Sequence, residues 1–122
     1  MKYFFLAFTK WNDINGRANL SEFWYFILFQ TILYFLIYFI DGYIGIEYLD
    51  YSGYEWGVVE IFYSIIAFFP NITITVRRLH DVNKSGWNLL WYITIIGILY
   101  VLFLNILKGT NGDNYYGSPS NA

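Results

Sequence analysis

The stretch "VRRLHDVNKSGW", residues 76–87, sets two arginines, a histidine, an aspartate and a lysine between two of the most apolar segments of the chain. Charge that interrupts hydrocarbon-like sequence reads as a water-facing connection between membrane helices. Working outward, residues 58–76 and 89–107 each approach the ~20 apolar residues that cross a ~30 Å hydrocarbon core. Residues 23–40 form a third segment of the same kind. The whole composition agrees: of 122 residues, 57% are hydrophobic, 25% aromatic and 13% charged, far from the balance of a soluble domain.

The expected fold is therefore an all-α membrane protein in a single domain. It has a short interfacial helix within residues 1–16, three transmembrane helices at 23–40, 58–76 and 89–107, and a polar tail at 108–122. Lys2, Lys10 and Trp11 flank Tyr3, Phe4, Phe5 and Phe8, a pattern for a helix lying in the headgroup region and retained rather than cleaved. Asn15-Gly16 reads as a turn, and "NLSEFW" opens the first span with Asn19 or Ser21 as cap and Glu22 completing a capping box. The second span carries Glu60 near its start and Pro70-Asn71 inside, which allows a kink or a partly re-entrant course.

Cations set the orientation. Lys2, Lys10 and Arg17 precede the first span, and Arg77, Arg78 and Lys84 follow the second. Residues 18–76 contain no Lys or Arg. The connection between the first two spans instead holds Asp41, Glu47, Asp50 and Glu55 among Tyr43, Tyr48, Tyr51, Tyr54 and Trp56, the makings of an exposed outer surface. The N-terminus and the 77–86 loop are thus expected in the cytoplasm. An odd number of spans then puts the tail outside. Trp24 and Tyr25, and Trp87, Trp91 and Tyr92, supply an aromatic belt at the cytoplasmic border.

If the second helix continues past Val76, then Arg77, His80, Asp81 and Lys84 share a face, and Arg78 reaches Asp81 three residues on. "NKSG" closes the helix, with Ser85 as cap for the next. Arg17 and Glu22 lie at the same membrane border. Pairing is strongly favoured in a dry interface, so Glu22 is expected to meet Arg77 or Arg78 and Arg17 to meet Asp81. The alternative is that the arginines bind lipid phosphates directly.

Three blocks carry a resemblance. "GRANLSEFW" (16–24), "RRLHDVNKSGW" (77–87) and "KGTNGDNYYG" (108–117) resemble, in order and spacing, the signature blocks of the bacterial domain-of-unknown-function 805 family. The resemblance implies a small polytopic inner-membrane protein with no established activity. The chain departs from the pattern at Leu20, Thr94, Tyr115 and Ser118-Pro119.

His80 and Asp81 invite a catalytic dyad, but neighbours on a helix point about 100° apart. One histidine, no cysteine and no clear nucleophile give no catalytic site and no enzyme. Asp13-x-Asn15-Gly16 and Asn111-Gly112-Asp113-Asn114 lack the spacing and distal Glu of a calcium loop, so no metal or cofactor is expected. A net charge of -2 gives no field for nucleic acid. Gln30, Thr31, Thr73, Thr75 and Asn105 are expected to hydrogen-bond between helices. The expected function is a non-catalytic structural, interaction or regulatory component of the bacterial inner membrane. The expected partners are the bilayer, anionic lipid headgroups, a second copy or another membrane protein. The alternative is an oligomeric small-solute or ion transporter. The candidate site is the cluster Arg17, Glu22, Arg77, Arg78, His80, Asp81 and Lys84.

Overall fold

The structure is a computed structural model that describes residues 1–44, 47–51 and 54–122, apart from the side chains of 47–51 and 54–56. Two helices are long and apolar enough to cross a membrane: α2, Leu20–Ile44, and α3, Val58–Asp81. At 1.5 Å per residue both exceed the ~30 Å hydrocarbon thickness. Only 17% and 22% of their most apolar windows are buried. Core helices of a soluble protein would hide that surface, so lipid is the medium that accounts for it.

Both long helices start at a side-chain cap. Asn19 Oδ1 accepts from Glu22 N at 2.8 Å and Glu22 Oε2 accepts from Asn19 N at 3.4 Å, the reciprocal capping box. At the other end of α2, Asp41 caps α3 across the helix pair by accepting from Val59 N (3.1 Å) and Glu60 N (3.0 Å). Pro70 lies inside α3, which stays one continuous helix, so this segment is not re-entrant. Between α2 and α3 the backbone forms two short antiparallel strands, β1 (Glu47–Tyr51) and β2 (Tyr54–Gly57). The side chains expected to make an outer surface there, Glu47 to Trp56, lie outside the described residues.

The seam of α2 and α3 is closed by a reciprocal amide pair: Gln30 Nε2 donates to Asn71 Oδ1 (2.9 Å) and Asn71 Nδ2 to Gln30 Oε1 (3.0 Å). Thr31 and Thr75 do not bridge helices. Their hydroxyls donate back to Ile27 and Asn71 carbonyls one turn earlier, which satisfies them locally. Thr73 bonds to the Pro70 carbonyl and reaches Lys10 O at 3.4 Å. The short helix α1, Lys2–Thr9, lies across both spans. Tyr3 stacks on Tyr25, Phe4 on Phe26, and Trp11 meets Phe69 edge-on. Ala7, Ala18, Phe23, Phe26 and Ile74 form the core beneath it.

The helical class, the short N-terminal helix and the three apolar helical segments stand as read. The third segment takes a different course. Residues Gly86–Ile93 form a 3-10 arm, capped by Ser85, and α4, Ile95–Ile106, is capped by Thr94 Oγ1 accepting from Gly97 N at 3.0 Å. The arms rise ~16 and ~18 Å at 2.0 and 1.5 Å per residue. They pack against each other, with Trp91 and Tyr100 rings 5.9 Å apart. The turn needs Gly97, because a Cβ there would collide with the Trp91 carbonyl. Thr110 N donates to Asp81 O at 2.8 Å, so the chain returns to where it left α3. Residues 82–109 thus leave the end of α3 and come back to it, and the tail lies at the same end as the 77–86 loop. This corrects the opposite side expected from an odd number of crossings.

Candidate functional site

Among the described residues, the charged segment at the end of α3 is the longest buried run, Arg77 to Asp81. Arg17, Glu22, Arg77, Arg78, His80 and Asp81 are all 8% exposed or less. Three guanidiniums face two carboxylates there, and desolvated charge must be matched to be tolerated.

Arg77 Nη1 donates to Glu22 Oε1 at 3.1 Å. Asp81 serves two cations at once: Arg17 Nη2 lies 2.9 Å from its Oδ1 and Arg78 Nη1 2.5 Å from its Oδ2. The expected pairing of α2 with α3 is present, and Arg77 rather than Arg78 is the partner of Glu22. The surplus cation is met by carbonyl dipoles. Arg78 donates to Ala18 O and Asn105 O (both 3.3 Å) and to Leu107 O. Arg17 donates to Thr110 O (2.6 Å), Gly112 O (2.7 Å) and Gly117 O (3.2 Å).

Those last three acceptors come from the tail, which the sequence reading left out of the site. Ser120 Oγ donates to Glu22 Oε2 at 2.7 Å, and Asn19 Nδ2 donates to Ala122 O at 2.7 Å. Asn114 Nδ2 donates to His80 O. The tail approaches so closely at Gly109 that any side chain there would strike the Asp81 carboxylate. A signal was present in the sequence: an excess of one arginine over carboxylates at a dry border demands oxygen acceptors. Which segment supplies them cannot be read from spacing.

His80 is not oriented by Asp81. Its Nδ1 donates to Gly16 O at 3.0 Å, and its ring stacks on Tyr116 with centroids 3.9 Å apart and planes 3° from parallel. Lys84 falls beyond the helix end and is exposed, so the structure does not bring it into the cluster. The arginines face inward, which closes them to lipid phosphates. Among the described residues no group of three His, Cys, Asp or Glu side chains could hold a metal ion.

A family described as a protein of unknown function (DUF805) matches residues 11–118. The inner membrane protein YhaI of Escherichia coli strain K12 is 32% identical over 119 residues, covering 97% of this chain and 94% of the relative. The inner membrane protein YhaH of the same strain is 33% identical over 118 residues, covering 96% and 94%. No solved structure matches. With its three sequence blocks meeting at one buried cluster and the family match running through all of them, the chain belongs to the DUF805 family of proteins of unknown function.

Proposed function

We propose that the chain is a non-catalytic component of the bacterial inner membrane, in which a charge-sealed cytoplasmic cap presents the 82–85 loop and the tail to another membrane protein. The observation that carries this reading is that the cluster spends its charges on itself. Both carboxylates of the cluster are occupied by arginines, and the histidine lacks a carboxylate to orient it, so among the described residues of the cluster no base and nucleophile converge on a substrate space. The Gln30–Asn71 pair closes the α2–α3 seam, which weighs against a pore within one copy.

The cytoplasmic placement is supported by a stronger asymmetry than sequence order suggested. Lys108 returns to the same end as the other basic residues, so all seven Lys and Arg lie in one half of the molecule. The surface offered to a partner joins loop and tail, because Tyr115 N donates to Asn83 Oδ1 at 3.2 Å and Tyr115 is 86% exposed. Photo-crosslinkers at Lys84 and at Tyr115 in native membranes test the reading. Capture of the same identified membrane protein from both positions supports it. Self-crosslinks alone, or adducts to unrelated proteins from the two positions, refute it.

A further inference from the structure

The seam between α2 and α4 carries a feature that the charge cluster does not use. Leu20, Trp24 and Ile27 recur at i, i+4 and i+7 and share one face of α2. Leu102, Asn105 and Lys108 recur every three residues along α4 and its continuation. The rows are latched where Trp24 Nε1 donates to Asn105 O at 3.1 Å. On the membrane side of the latch is a cavity of about 340 Å³ bordered by Ile27, Ile72, Leu89 and Leu102. On the polar side is a cavity of about 250 Å³ bordered by Asn19, Ser21, Lys108 and Thr110 and by the paired Arg17 and Asp81.

The two chambers differ in chemistry. Two of the polar groups at the deeper one are already satisfied, since the Asn71 amide bonds to Gln30 and the Ala67 carbonyl and the Thr75 hydroxyl bonds to the Asn71 carbonyl; the Tyr92 ring also lines it. Beyond the Tyr92 phenol, what remains to a visitor is hydrocarbon. At the polar chamber Arg17 is engaged by Asp81 and the tail, whereas Lys108 is exposed and enters no ion pair among the described residues. One cation over one apolar slot, at most ~10 Å apart along α2 at 1.5 Å per residue, matches a headgroup phosphate and the first part of an acyl chain. A helix, ~10 Å across, is too wide for the slot.

We propose that this seam binds one anionic phospholipid, with its phosphate at Lys108 and one acyl chain passing Trp24 into the chamber between Ile27 and Leu102. The whole chain, reconstituted in vesicles of equal phosphatidylglycerol and phosphatidylcholine and re-extracted in mild detergent, tests this through the lipid that stays bound. A cation near a membrane surface contributes ~1 kcal/mol, so the retained lipid should be enriched about five-fold in phosphatidylglycerol. Lys108→Gln should bring the ratio down to that of the vesicles, and Lys108→Arg should keep it. Leu102→Trp, which fills the slot, should lower the amount of both lipids retained. A wild-type ratio equal to the vesicle ratio overturns the proposal, as does enrichment that survives Lys108→Gln. Because Lys108 is exposed, its variants decide the question even if Leu102→Trp does not fold.

Discussion

Glu22→Gln is the sharpest probe of the charge cluster, because the two partners of the Glu22–Arg77 pair are unequally satisfied. Every contact of the Glu22 carboxylate is used: Oε1 by Arg77, Oε2 by Ser120 and the Asn19 N–H. Arg77 spends only Nη1, while its buried Nε and Nη2 have no protein partner. Removing the carboxylate charge strands a guanidinium that is 1% exposed, and breaking a buried pair in this way costs about 3–5 kcal/mol. Arg77→Gln also removes two donors that were desolvated without recompense, each of which costs about 1–3 kcal/mol when left unmade. Arg77→Gln should therefore be the milder change by about 1–2 kcal/mol. The double variant should be destabilised by less than the sum of the singles, with a coupling of about 2–3 kcal/mol. Reversible unfolding in mixed micelles, followed by loss of tyrosine and tryptophan near-ultraviolet dichroism, measures all three. Equal single effects with additive doubles would refute the unequal satisfaction of the pair. In cells the swap Glu22→Arg with Arg77→Glu should restore abundance, and the swap with Arg78→Glu should not.

Asp81→Asn should be the most damaging single change in the cluster, at least as costly as the ~3–5 kcal/mol of one broken buried pair, since two arginines lose their anion together. It should also speed proteolysis of the tail beyond Leu107, and a tail as resistant as wild type would count against its anchoring at Arg17 and Asp81. Ser120→Ala removes one hydrogen bond to a charged group and should cost about 1.5–3 kcal/mol, read in the same unfolding assay. Asp41→Ala uncaps α3 at Val59 and Glu60 and should cost about 0.5–2 kcal/mol while leaving the charge cluster intact. Cysteines at Asn83 and Tyr115 should be labelled from the same side of the membrane and one at Ser52 from the other. Labelling of Tyr115→Cys together with Ser52→Cys would refute the placement of loop and tail at one end.

Much of this architecture is legible in the residues themselves, because the signals are local. The Asn19–Glu22 capping box needs three residues of spacing, and the length of α2 and α3 follows from uninterrupted apolar runs. The pairing of Glu22 and Arg17 with the Arg77–Asp81 segment follows from shared depth, since charges confined to one dry layer must find each other there. The tertiary structure alone decided three things. Residues 86–106 are apolar whether they cross or fold back, so hydropathy is blind to the turn at Thr94 and Gly97. Asp41 was read as loop charge, although it caps a helix 18 residues away. The tail's place was not legible because what it offers Arg17 is backbone carbonyl, which every residue owns alike. Only the return of the chain to Asp81 turns those common oxygens into the acceptors that the surplus arginine requires.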